Sequence, residues 1–328
     1  MRLAYLDCFA GVSGTMILGA LVHAGADLDA ISDVVNDLPT AGYVLEQVAV
    51  DVGGVPSVRI IVKNLTDGVI HTYASIRSMV EEADLPGDPR RTALRAFQLL
   101  AEAEARIHSR EPDLVTFFDS GEAVLVPILG TALALHQLEV DRVFASAIPT
   151  GLGMSRTEHG LVPIPSPVVM ALLTGVPTYS RGIPAELVTP VGAAILAAVA
   201  EGYGEIPLMR PDRVGYGAGE LRLDFPNVLR VLIGTSAGPG PPGPPAEEIV
   251  LQVKMSGLGP QDVRALLRDL IDSGAADAWL TPIVDADGEP AMMVSAIVAP
   301  PARAAIRTML QRRAGQAEVR AVPLRPGT

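Results

Sequence analysis

"YLDCFAGVSGTMILGALVHAG", residues 5–25, sets the terms for the rest of the chain. An apolar run ends on Asp7 and Cys8, a loop with Gly11 and Gly14 follows, and the next ten residues are small or apolar. Such a strand, tight loop and small-residue helix form the opening unit of an α/β layer, with the loop at the strand's C-terminal end where ligands of such folds gather. Gly11 and Gly14 let the backbone turn sharply and approach a ligand. Ser13 or Thr15 can cap the helix, whose first amides are anion donors. The Gly-Lys-Ser/Thr ending of a nucleotide P-loop is missing, as is the third glycine of a dinucleotide fingerprint. The loop therefore permits an anion without demanding one. Asp7 is open to two readings, a metal-binding or proton-accepting carboxylate and a cap for loop amides.

Outward from this unit, Val44–Val50 and Val58–Val62 read as a strand pair turning at Gly53-Gly54. Arg91–His108 carries Leu94, Phe97, Leu100 and Ile107 at helical spacing. Residues 113–118 ("DLVTFF") suggest a strand, and 124–138 a buried helix that tolerates Pro127 near its start. Val140–Ser146 reads as a strand, Pro167–Leu173 as a helix begun by proline, Val188–Glu201 as a further small-residue helix, and 227–234 as a last strand. The tract "GTSAGPGPPGPPAEE", residues 234–248, has no apolar period to pack and reads as a spacer. Beyond it the order is strand 249–255, helix 260–273, strand 278–284, strand 291–298, helix 300–312 and strand 316–322. The expectation is an α/β (α+β) protein, with a larger N-terminal α/β part at 1–233 and a ferredoxin-like βαββαβ module at 249–328.

The chain has 328 residues, 49% hydrophobic and 19% charged, enough apolar content for a sizeable core. Its formal net charge of −12 argues against nucleic acid or an anionic membrane as partner, since both need a basic face. One cysteine excludes an intrachain disulfide and fits a reducing compartment, and no signal peptide or spanning segment is read at the N-terminus or elsewhere. The expected setting is cytoplasmic, with a small molecule as ligand.

Several stretches together resemble one family: "YLDCFAGVSGTMILGAL", "LAEAEARIH", "IPTGLGMSRTEHGLVPIPSPVVMALLTGVP", "ELVTPVGAAILAAVA" and "GYGAGELRLDFPNVLRVLIG". In order and over nearly the whole length, they are similar to the LarC-type nickel-insertion proteins, which mature the nickel-pincer cofactor of lactate racemase. The resemblance implies insertion of nickel into a pyridinium bis-thiocarboxylate mononucleotide, a lyase-type cyclometallation that forms a metal–carbon bond and uses CTP. It also implies a C-terminal module that binds the nucleotide and drives homo-oligomerisation.

The same resemblance marks departures. Where the family shows His-Phe-His-Glu, this chain reads "TFFDSGE", with Thr116 and Phe118 at the histidine positions, Asp119 for the glutamate and a shifted Glu122. Phenylalanine offers a metal no lone pair. Thr15 replaces an aspartate and Thr72 an arginine. In the C-terminal module "QVKMSGL" (252–258) has lost three acids, and "DADGEPA" (285–291) turns a basic loop acidic. Asp285, Asp287 and Glu289 would repel a triphosphate by about 1 kcal/mol per close pair in water, which argues against CTP and Mg²⁺.

What survives assigns Asp7, Asp119 and Glu122 as catalytic carboxylates. Gly11, Ser13, Gly14, Thr15, Glu186, Thr189 and Gly217 become substrate or phosphate contacts, and His71 and His159 nickel ligands. His108 ends a helix and suits its C-terminal dipole. His23, His136 and Cys8 read as structural. Three functions follow in order: nickel insertion, a repurposed metal- and CTP-independent enzyme doing acid–base chemistry, and a non-catalytic oligomeric binding protein.

Overall fold

In a computed structural model the opening apolar run forms β1 (Arg2–Asp7), and the small-residue segment forms α1 (Gly14–His23), capped by Ser13. The structure describes residues 1–40, 42–65, 71–117, 120–157, 160–237, 249–284, 288–315 and 317–323. After α1 come α2 (Leu28–Asn36), the hairpin β2 (Tyr43–Val52) and β3 (Val55–Asn64), then β4 (His71–Thr72). Helices α3 (Tyr73–Glu82) and α4 (Gly87–His108) lead to β5 (Thr116–Phe117) and α5 (Val126–Gln137). Four short strands follow, β6 (Arg142–Ala145), β7 (Ile148–Thr150), β8 (Met154–Thr157) and β9 (Gly160–Pro163). The first part closes with α6 (Pro167–Leu172), β10 (Thr178–Ser180), α7 (Pro190–Val199), β11 (Ala200–Tyr203), β12 (Met209–Ala218) and β13 (Val228–Ser236).

The main sheet is mixed, in the order β11-β6-β1-β13-β12-β3-β2. β1 is an interior strand, antiparallel to β13 with Asp7 opposite Arg230, and parallel to β6. Ala4, Leu6, Val231 and Ile233 of the sheet share one core with Ile17, Leu21, Phe97, Leu129 and Leu196 of the helices. Each of the valine, leucine, isoleucine and phenylalanine side chains among them, fully buried, contributes about 1.5–3 kcal/mol. Helix α1 reaches the sheet through glycine. A Cβ on Gly217 would lie 1.8 Å from the Met16 carbonyl oxygen, and one on Gly215 2.0 Å from that of Ala20.

By contact density the chain divides into two compact units, Met1–Gly238 and Pro239–Thr328. The second contains β14 (Ile249–Met255), α8 (Pro260–Asp272), β15 (Ala275–Val284), β16 (Pro290–Val298), α9 (Pro300–Ala314) and β17 (Arg320–Pro323). Its sheet runs β15-β16-β14-β17 with every neighbour antiparallel. Leu251, Val253, Leu266, Leu270, Val294, Ile306 and Leu310 form its own core.

Several expectations change. Gly217, expected as a substrate or phosphate contact, falls in strand β12, where it and Gly215 serve helix packing. "DLVTFF" does not form a strand throughout its described residues: Pro112–Leu114 makes a single 3₁₀ turn, which proline favours at its start, and the strand assigned is Thr116–Phe117. The helix expected from 124 is preceded by a wider π turn, Ser120–Leu125, and becomes α-helical at Val126. The helix expected to reach Glu201 ends at Val199, because the chain from Ala200 pairs with β6.

Candidate functional site

The opening loop meets a second loop 175 residues away, and this meeting builds the site. Gly11 has φ +112, and a Cβ on it would sit 2.1 Å from the Leu187 carbonyl oxygen. Only glycine allows that approach. It lets the Val12 amide donate to Leu187 O at 2.8 Å and the Thr189 amide to Val12 O at 3.0 Å, a parallel bridge of Val12 with Val188. The starts of α1 and α7 are thereby held side by side. Gly14 completes the junction, since its missing Cβ would lie 2.6 Å from Pro127 of α5 and 2.7 Å from Val191 of α7.

Both helix starts are capped by their own residues. Ser13 Oγ accepts from the Met16 amide at 3.2 Å and contacts the Thr15 hydroxyl at 3.2 Å. Thr189 Oγ1 accepts from the Gly192 amide at 3.1 Å. The proline at the first position of α7 has no amide to leave unsatisfied.

These starts form one wall of a cleft of about 1230 Å³ in the first unit. Ser13, Gly14, Thr15, Glu186 and Thr189 line it, so five of the residues singled out from sequence meet there. Leu100, Val115 and Phe117 give an apolar wall, and Thr116 stands among them. The β8–β9 hairpin contributes Ser155 and Arg156, the C-terminal end of α4 contributes Glu104 and His108, and Arg110 follows just past its cap. Asn227, 4% exposed, donates from Nδ2 to Leu221 O at 2.9 Å and holds the loop that brings Glu220 and Leu221 to the rim.

The charges differ in state. Arg110 and Arg156 are exposed at the cleft, and neither guanidinium makes an ion pair with a described residue. Glu104 and His108 approach each other at 3.4 Å, one helical turn apart. Glu220 is exposed. Glu186 is half-buried, makes no hydrogen bond or ion pair with a described residue, and burial raises its carboxyl above the ordinary carboxylate range.

The other sequence-derived residues lie elsewhere. Asp7 is outside the lining and is held by Arg230, with Nη2 at 2.5 Å and Nε at 3.1 Å from one carboxylate oxygen. Gly11 and Gly217 are packing positions. His71, 8% exposed in β4, is also outside the lining, and burial pushes its imidazole pKa down. Thr72, which replaces an arginine in the resemblance, caps α3 by accepting from the Ser75 amide at 3.2 Å. Cys8 is buried and its thiol pKa is pushed far up by burial, which makes it inert as a nucleophile. Asp119, His159, Asp285, Asp287 and the side chain of Glu122 lie outside the described residues. Among the described residues, no three His, Cys, Asp or Glu side chains group closely enough to hold a metal ion, and no helix is long and apolar enough to cross a membrane.

Sequence reasoning missed Arg110, Arg156 and Asn227. Each is an ordinary polar residue next to a turn, and only their convergence from three segments marks them.

The geometry defines a mixed α/β protein with a cation-rimmed, acid-bearing cleft at paired helix starts. The chain belongs to the nickel insertion protein family, whose model matches residues 4–325. It is 36% identical over 315 residues to a putative nickel insertion protein of Syntrophobacter fumaroxidans, covering 95% of this chain and 80% of that one. It is 37% identical over 327 residues to the pyridinium-3,5-bisthiocarboxylic acid mononucleotide nickel insertion protein of a Nocardioides species, covering 99% and 82%. A protein of that name from Desulfitobacterium hafniense is 36% identical over 300 residues, covering 90% and 74%. No solved structure matches the chain.

Proposed function

We propose that this chain is an enzyme that inserts nickel into a pyridinium-3,5-bisthiocarboxylic acid mononucleotide, bound in the cleft of the first unit. The observation that carries this is the junction of α1 and α7, whose two starts face one cleft with Arg110 and Arg156 opposite no carboxylate of their own. A helix start is equivalent to about half a positive charge, which favours phosphate or thiocarboxylate. The substrate carries both groups. The cleft exceeds the roughly 300–1,000 Å³ usual for small-molecule sites, leaving room for a metal ion beside the ring. Nickel is here a substrate, delivered and released.

The strand order of the second unit fits a ferredoxin-like module, the spacer expected at 234–248 gives up Gly234–Ser236 to β13, and a cytoplasmic homo-oligomer joined through that module is the assembly we infer. Loss of the acids at 252–258 and the acidic 285–291 loop supports insertion without CTP or Mg²⁺. Thr116 favours a second reading. It stands in the cleft where the resemblance implies an imidazole, so a metal-independent acid–base reaction on a related molecule is the alternative.

The deciding assay mixes purified protein anaerobically with Ni²⁺ and the precursor, with and without CTP. Formation of the nickel cofactor without CTP is the expected result. No nickel uptake under either condition rejects the reading, and nucleotide hydrolysis coupled to insertion rejects its CTP clause.

A further inference from the structure

The cleft holds three described carboxylates, and their environments separate them. Glu104 faces His108 at 3.4 Å. Glu220 is exposed at the rim. Glu186 lines the cleft from the second of the two joined loops, next to Leu187, half-buried, with no described partner to hold or neutralise it. An acid placed so in a ligand cleft is ready to exchange a proton with what binds there.

The substrate class indicates which proton. Thiocarboxylates at ring positions 3 and 5 flank carbon 4, so a nickel ion gripped by one sulfur from each is set against that carbon and its hydrogen. Resting on the nickel-insertion reading above, we propose that Glu186 is the catalytic base that removes the hydrogen from ring carbon 4 as nickel is inserted. The C–H bond breaks, its electron pair forms the carbon–nickel bond, and the proton passes to a Glu186 carboxylate oxygen. Nickel remains divalent, and no oxidant or reductant enters. Burial makes Glu186 a stronger base than a surface glutamate, in keeping with this task.

The test compares wild type, Glu186→Gln and Glu186→Asp in the anaerobic assay, using Ni²⁺ and precursor with hydrogen or deuterium at carbon 4. Precursor binding is followed separately by absorbance titration. The expected result is unchanged precursor binding by Glu186→Gln with insertion slowed about 10²–10⁴-fold, the usual contribution of a general base. Glu186→Asp should recover part of the rate and show a larger isotope effect than wild type, because a retracted carboxylate makes C–H cleavage more fully rate-limiting. Insertion by Glu186→Gln at the wild-type rate overturns the assignment alone. So does a loss of precursor binding that accounts for the whole rate loss, which makes Glu186 an anchor. A wild type inert under every condition overturns the nickel reading and this assignment with it.

Discussion

At the scale of single residues, Glu186 couples the cleft to stability. Its carboxyl is raised in the folded state by burial, so the folded chain binds a proton that the unfolded chain releases sooner. That contribution is fully present below the ordinary carboxylate range and is lost as pH rises through the folded value. Glu186→Gln should therefore melt above wild type near neutral pH and converge with it at about pH 4, as read by calorimetry. A constant offset across pH would show that the carboxylate carries no desolvation penalty. Arg156 makes a different prediction. Arg156→Ala should weaken binding of the anionic precursor about tenfold and lessen the dependence of binding on salt, with the melting midpoint unmoved, because the guanidinium is exposed and makes no ion pair with a described residue. Neither arginine stands out in sequence. Asp7 does, and the structure ties it to Arg230 across 223 positions, a pairing no local pattern announces.

At the scale of elements, the helix starts were legible and their neighbours were not. Ser13 reads as a cap because it places an oxygen where the first turn needs it, and it does so in the structure, as Thr189 does ahead of Pro190 in α7. Thr189→Ala should cost about 1 kcal/mol in denaturant unfolding through the lost Gly192 amide bond. Gly217 shows the converse. The sequence marked it as a substrate or phosphate contact, yet its backbone is part of β12, and its lack of a side chain matters because Met16 lies across it. Gly217→Ala should destabilise by about 3 kcal/mol or more, since the added methyl meets backbone that cannot rotate away. An alanine tolerated there within experimental error would mean that α1 does not approach β12 so closely. The two-residue β5 and the π turn before α5 escaped sequence reading for a related reason: short or irregular elements have no period to detect.

At the scale of the molecule, two cores divide the work. Among the described residues, the buried cluster of the first unit runs from Ala4 to Ile233 and that of the second from Ile249 to Val319. A protein ending at Ala237 should therefore keep a cooperative thermal transition and bind the precursor as the full chain does, measured by calorimetry and titration. A broad, non-cooperative melt would show that the larger core needs the second unit. The second unit was the more legible of the two, because its six elements alternate at short range and each strand's neighbour follows from hairpin and crossover rules. In the first unit, strands from both ends of the sequence interleave, so β1 lies between β6 and β13.

Properties that one segment carries alone were settled by the amino-acid order: caps, the Gly53-Gly54 turn, the charge balance and the likeness to the nickel insertion family. The cleft was not among them. Its wall exists because Gly11 admits Leu187 and Gly14 admits Pro127 and Val191, and its rim because α4, the β8–β9 hairpin and the loop held by Asn227 end near one another. Close approach between distant segments depends on how whole layers pack, and only the folded chain brings those surfaces into contact.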